Sequence, residues 1–364
     1  SFERMRVTTV FASPGAGKTT QVKSRFEAAV NGGLGIDQVL VLAASREAAN
    51  SLRDELALGL QQATPGALAR TITSFAFAVL RAKAIANQSA LPELISGSEQ
   101  DRILAEVIGV SIEGLSVSSW PKHINAQVMQ LNGFRAELRD LITAALEHGV
   151  NPHALRELGV TNKKPEWVAS ADLFEQYLAV VSGAEYESRY DTTMLLREAA
   201  DWLNALAEWP AAIAEIKLIL VDDAQELTPA ASNLLLTLCS RGAEIVLVGD
   251  PDASTLGFRA ADPRAMSNLA QAIAKVHGVA VEEIFLQPEH AIRTPAISRV
   301  LAKVSSQIDT ARAGRQRKGL NPAQPLVDAD NRGLEGHVFN QPQAEVAWLA
   351  RRLRELHLYE GIEW

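Results

Sequence analysis

At roughly 150 residues per domain, a chain of 364 residues has room for two or three domains and for a large packed core. Its 47% apolar and 21% charged residues are ordinary for a globular chain, no apolar run approaches the length of a membrane span, and the stretch Ser1 to Arg6 lacks the apolar core of a secretory signal, so a cytoplasmic protein is expected. One cysteine, Cys239, excludes an internal disulfide, scattered histidines give no zinc spacing, and 35 Lys+Arg against 43 Asp+Glu (net −8) exclude a globally basic nucleic-acid coat, leaving any polyanion to local patches.

In chain order, the first strand is expected at Val7 to Phe11, a buried-type run of β-branched and aliphatic residues. Val22, Phe26 and Val30 then recur at helical spacing, and a second strand follows at Val39 to Ala43. Ala48, Leu52 and Leu56 mark another helix before a third strand at Arg70 to Thr73. This alternation predicts an α/β protein built on a parallel sheet. From there to a fourth strand at Leu218 to Val221 helical patterns dominate, which predicts an inserted all-helical subdomain. Within it Phe134, Leu138, Leu141, Ile142 and Ala145 share one helical face, a core stripe, and Gly149 is placed to end that helix. Further strands are expected at Ile245 to Val248 and Ile284 to Leu286. The segment Ala311 to Gly319 reads as a basic connecting loop, before a short strand at His337 to Phe339 and a helix with Val346, Leu349, Leu353 and Leu356 on one face.

The chemistry concentrates after the strands. Ala12 to Thr20 follows the first strand and opens a helix, the context that turns a glycine-lysine string into a phosphate-binding loop. Gly15 and Gly17 let the loop of Ser13, Pro14 and Ala16 turn with its N–H groups, of which Pro14 has none, inward, where they and the helix N-terminus can hold phosphate oxygens. Lys18 is placed to reach the β and γ phosphates, and Thr19, followed by Thr20, offers a hydroxyl to Mg2+; ATP and Mg2+ are the expected cofactors. The strand at Leu218 to Val221 delivers two carboxylates: Asp222 for the metal, and Asp223 where a base would orient the attacking water. Gln225 could report on the γ-phosphate or on a bound strand. Gly249 to Arg259 follows the next strand, so all these motifs lie at carboxyl ends, where parallel sheets place ligands.

Together the motifs resemble those of the superfamily I DNA helicases of the UvrD/Rep/RecB type. Ala12 to Thr20 matches that family's motif I, Leu40 to Ala49 its motif Ia, Thr71 to Ala76 motif Ib, Asp222 to Glu226 motif II, Gly249 to Ala261 motif III and Ile292 to Ile297 motif IV. The resemblance implies a RecA-like P-loop sheet with a helical insertion and the start of a second RecA-like domain: residues 1–84 and 206–280 forming the first motor domain, 85–205 the insertion and 281–364 the beginning of the second. It implies ATP-driven action on single-stranded DNA in repair or recombination, without a membrane, and gives Arg293 a γ-phosphate contact. Around Phe134 and Pro165 to Val168 the chain looks like the RecB-like subunits of heterodimeric helicase-nucleases, which implies a possible second subunit as partner. The family's glutamine motif and its motifs V and VI are expected outside residues 1–364, so residues 1–364 alone are expected to be a weak or inactive motor.

Three departures from the family pattern stand out. Asp223 occupies the place of the usual motif II glutamate and withdraws the carboxylate by roughly one carbon–carbon bond, ~1.5 Å. Ala253 aligns with the motif III glutamine, and Ala44 with the base-stacking phenylalanine of motif Ia. Nucleotide binding is expected to survive and hydrolysis to be weakened. For DNA, the family's use of aromatic platforms and phosphate contacts implies Phe258 as a base stacker and Arg46, Ser74 and Arg259 as phosphate or coupling contacts, with Phe75 equally suited to the core. A small-substrate P-loop kinase would need an acceptor pocket and a lid, which the insertion and the later motifs disfavour. A non-catalytic ATP- and DNA-binding subunit is the alternative that Asp223 and Ala253 favour.

Overall fold

Apolar runs too short to be helices become the strands of one parallel sheet in the computed structural model, which describes residues 5–60, 67–114, 120–257, 260–286, 295–308, 315–317 and 336–364. In chain order the elements are β1 (Val7–Phe11), α1 (Lys18–Asn31), β2 (Val39–Ala43), α2 (Arg46–Leu60), β3 (Arg70–Thr71) and α3 (Ile72–Asn87). Then come β4 (Glu93–Leu94), α4 (Gly97–Glu113), α5 (Ala126–Met129), α6 (Asn132–Glu147), α7 (Pro152–Thr161), α8 (Pro165–Val181) and β5 (Arg189–Tyr190). The chain continues through α9 (Thr192–Ala205), α10 (Ala211–Ala214), β6 (Leu218–Val221), α11 (Pro229–Cys239), β7 (Glu244–Gly249), α12 (Ala265–His277), β8 (Val281–Phe285), α13 (Pro295–Ser306) and α14 (Pro342–Glu360).

The main sheet runs β3-β2-β6-β7-β1-β8 with every neighbouring pair parallel. Side chains alternate across it with period two. Leu40, Leu42, Ile219, Val221, Ile245 and Leu247 face a core completed by α3, α9, α11 and α12. Their neighbours Val39, Val41, Leu218, Leu220, Val246 and Val248 face the opposite core, with Val22 and Phe26 of α1 and Leu52 and Leu56 of α2. Each such side chain stabilises by about 1.5–3 kcal/mol on burial, so a one-residue slip would exchange both faces at once and is strongly disfavoured. The arrangement is a RecA-like P-loop α/β fold.

Several elements differ from the sequence expectation. The third strand stops at Thr71 rather than Thr73, because Thr71 caps α3: its Oγ1 accepts the Ser74 N–H at 3.1 Å. The insertion is not all-helical, since Glu93–Leu94 pairs in parallel with Arg189–Tyr190 at its base. Its own core gathers Ile103, Leu138, Ile142, Phe174 and Tyr177, but α9, placed within the insertion by residue range, packs Leu195, Leu196, Ala199 and Leu203 into the core of the main sheet instead. The strand expected to open a second motor domain hydrogen-bonds along β1, Val7 opposite Val281 and Phe11 opposite Phe285, and so extends the first sheet. No strand forms at His337 to Phe339; there the rings of His337 and Phe339 pack on Trp348 of α14, with centroids 4.1 and 5.8 Å away. Gly149 follows α6 with φ 70°, as its expected stop role requires.

Asp191 caps α9 by accepting the Met194 N–H at 2.8 Å. Burial raises its carboxyl above the ordinary aspartate range, against the lowering effect of the Met194 and Thr193 N–H groups. A folded-state pKa above the unfolded one means the ionised carboxylate is a penalty at neutral pH, relieved as pH falls through the folded value. Asn caps as well as Asp and carries no charge. Asp191→Asn is therefore expected to raise stability at pH 7 by on the order of 0.5–2 kcal/mol. The gain should shrink as pH falls. Urea midpoints at pH 7 and pH 5 check this; a variant less stable than wild type at pH 7 contradicts it.

Candidate functional site

The loop between β1 and α1 has the backbone its glycines were expected to allow. Gly15 and Gly17 adopt φ 72° and 89°, left-handed conformations that a side chain disfavours. Gly17 is the N-cap of α1, and no side chain caps that helix, so its first-turn N–H groups point into the loop. Ser13, near the start of the loop, is 1% exposed, and its Oγ has no hydrogen-bond partner. A buried hydroxyl without a partner is costly unless a ligand supplies one. Pro14, Ala16, Lys18 and Thr19 are half-buried around the loop, while Gly15 and Thr20 are exposed. These features together are the ones an anion cradle requires.

Its floor comes from β6. In the sheet β7 separates β1 from β6, yet the Thr19 Oγ1 reaches across to donate to Asp222 Oδ2 at 3.0 Å. Asp222 is 8% exposed; burial raises its carboxyl, and Asp223's charge adds to that, while the Thr19 bond and the Lys18 charge oppose it. A carboxylate that is costly to keep ionised, beside a hydroxyl, is a donor set suited to a hard cation such as Mg2+. Thr19 and Asp222 are the residues that would hold it.

Asp223 sits in left-handed backbone, φ 50° and ψ 47°, which Asp tolerates better than most residues. Its carboxylate accepts from Gln225 Nε2 at 3.1 Å, and Gln225 Oε1 in turn accepts the Asp250 N–H at 3.0 Å. Gln225 is buried at 3% exposure and ties the ends of β6 and β7 together. Gly249 makes room for it: a Cβ there would lie 2.5 Å from Gln225 Oε1.

Sequence reading missed three members of this network. Glu226 accepts the N–H groups of Thr255 and Leu256, at 2.7 and 2.9 Å, and shapes the loop after β7. Asp250, 1% exposed, has its carboxyl raised chiefly by burial, with the Asp252 charge adding to that, while the hydrogen bond from the Asp252 N–H and the Lys18 charge act to lower it. Arg317 forms a bidentate pair with Asp252, both bonds at 2.6 Å, and Arg315 lies over the Phe285 ring at 5.1 Å. The described part of the basic segment is thus docked beside the site rather than a free connector. Charge alone could not separate those outcomes.

The remaining candidates divide. Arg46 opens α2 and Ser74 lies in the first turn of α3; both are exposed, beyond the carboxyl ends of β2 and β3 and on the far side of β6 from the loop. Phe75 is core, 5% exposed. Phe258, Arg259 and Arg293 lie outside the described residues.

Sheet order and loop define a protein of the RecA-like P-loop class, with a helical insertion between its third strand and its acidic strand. Residues 4–274 match the UvrD/REP helicase N-terminal domain, and the chain belongs to that family. Over 174 residues it is 24% identical to the ATP-dependent DNA helicase srs2 of Schizosaccharomyces pombe, a stretch covering 46% of this chain and 18% of that relative. Among the described residues no helix is long and apolar enough to cross a membrane.

Proposed function

We propose that the chain is the ATP-binding portion of an ATP-dependent helicase or translocase acting on single-stranded DNA, in repair or recombination. The observation that carries this is the Thr19–Asp222 hydrogen bond, which brings the phosphate loop and the acidic strand end into one site. Ser13, Gly15, Gly17 and Lys18 bind the phosphates; Thr19 and Asp222 hold Mg2+, which when bound neutralises phosphate charge. Asp223 orients the attacking water, with Arg293 contacting the γ-phosphate as the family resemblance implies. Arg46, Ser74, Phe258 and Arg259 meet the DNA.

Hydrolysis is weakened in this reading. Asp223 is short, its carboxylate is engaged by Gln225, and Ala253 offers no polar side chain to a phosphate. The same two positions favour a second reading, a non-catalytic ATP- and DNA-binding subunit that serves an active partner, as in the RecB-like assemblies.

The test is binding. A fluorescent oligo-deoxythymidine should bind the chain, with affinity falling steeply between 50 and 200 mM salt as phosphate contacts release counterions: about tenfold or more for three or so contacts. Arg46→Ala should weaken binding and flatten the salt slope by about one. Salt-independent binding, or none, argues against the DNA assignment.

A further inference from the structure

The Glu147 carboxylate lies where the insertion meets the motor core, and the chemistry proposed above makes no use of it. It is the last residue of α6 and only 7% exposed. Leu138, Ile142, Ala145 and Leu146 root α6 in the insertion's core. Its two oxygens nevertheless reach the other body of the protein. Oε1 accepts from the Thr193 Oγ1 on α9 at 2.8 Å, and Oε2 accepts the Ala230 N–H at the start of α11 at 2.9 Å. Both of those helices pack their apolar faces into the motor core. The charge is balanced by a hydroxyl, a backbone N–H and the positive end of α11.

The place where Glu147 grips α11 gives it a role beyond adhesion. α11 starts directly after the turn that carries Asp222, Asp223 and Gln225, with Thr228 as N-cap and Ala230 as its second residue. α6 also has a second face: Asp140, Thr143 and Ala144, with His148 just beyond the helix end, line a cleft of about 420 Å3 whose far wall is Gly257 and residues 260–264, the stretch after the Asp250–Ser254 turn. One helix thus borders an open cleft along its side and, at its end, holds the first turn of α11, the helix that follows the acidic turn.

We infer that Glu147 is a positioning residue through which a strand held against the insertion biases the Asp222–Gln225 turn. A displacement of α6 moves the acceptor of the Ala230 N–H, and the start of α11 follows it or loses the bond. Nucleotide and strand then share a coupling free energy, equal in both directions. The inference rests on the reading that the chain binds both ligands.

The experiment measures the affinity of the chain for a fluorescent ATP analogue with magnesium, alone and with saturating oligo-deoxythymidine, after binding of each probe alone has been recorded. In wild type the oligonucleotide should change nucleotide affinity by about fivefold or more. Glu147→Ala should bring that ratio to within about twofold of one, leaving nucleotide affinity without DNA nearly unchanged. Glu147→Gln should keep the wild-type ratio, because its amide oxygen accepts from Ala230 and its NH2 donates to a reversed Thr193 hydroxyl. Should Glu147→Ala not fold by circular dichroism, Thr193→Val, which removes one bond of the pair, should still lower the ratio. A folded Glu147→Ala or Thr193→Val chain with the full wild-type ratio overturns the inference, as does a wild-type chain that binds both probes independently. A wild-type chain that binds neither probe overturns the proposed function itself.

Discussion

Lys18→Ala is expected to weaken ATP·Mg2+ binding by about a hundredfold or more while leaving the fold intact. Each hydrogen bond from a charged donor contributes about 1.5–3 kcal/mol, and a lysine bridging two phosphates makes two. The loop around it already has the shape such a ligand needs: left-handed Gly15 and Gly17, an uncapped α1 and a buried Ser13 hydroxyl without a partner. Lys18 is half-buried, and its charge acts on the carboxyls of both Asp222 and Asp250, lowering each. Removing it leaves those two carboxylates unopposed beside the phosphates, so the loss should exceed that of two hydrogen bonds. Equilibrium titration with a fluorescent nucleotide, paired with a thermal melt, checks both halves. Equal binding by variant and wild type with matching melts would falsify the assignment of this loop.

Asp223→Glu combined with Ala253→Gln is expected to raise the turnover number for DNA-stimulated hydrolysis by about ten- to a hundredfold, the scale that a ~1 Å correction of a catalytic group can restore. The longer side chain carries its carboxylate past the Gln225 amide that now engages it at 3.1 Å. The new glutamine at the turn after β7 returns a polar group that gains strength only as charge develops on the phosphate. Both contacts belong to the transition state, so KM should stay nearly fixed. The left-handed backbone at Asp223 suits glutamate less well than aspartate, and the pair should cost about 1 kcal/mol of stability. Adding Asp222→Ala should erase the gain. An unchanged turnover number in an enzyme that already hydrolyses ATP briskly would make Asp223 and Ala253 neutral variants.

Much of the architecture was legible because its physics is local. Short runs of β-branched and aliphatic residues, buried on both faces, marked β1, β2, β6 and β7, and a glycine-lysine string after the first of them marked the phosphate loop. A Thr at the end of β3 could have signalled the early helix start, since Thr71 is a standard capping residue, but the β-branched neighbours Ile72 and Thr73 mimic strand. Where the division between bodies falls was less legible. Nothing in the apolar spacing of α9 says which of two cores it enters, and β8 reads alike as the first strand of a new sheet or the last of an old one.

By itself the sequence determined which residues could carry the chemistry: Lys18, Thr19, Asp222 and Asp223 are recognisable from their types and from the strands that precede them. Only the tertiary structure decided how they combine. Thr19 meets Asp222 across an intervening strand, Gln225 is a buried strut between the ends of two strands, Arg317 pairs with Asp252, and Glu147 joins the insertion to α11. The reason is range. Propensity and periodicity act over a few residues, whereas these four bonds join positions whose nearness depends on strand order and helix packing, and those are settled only when the whole core closes.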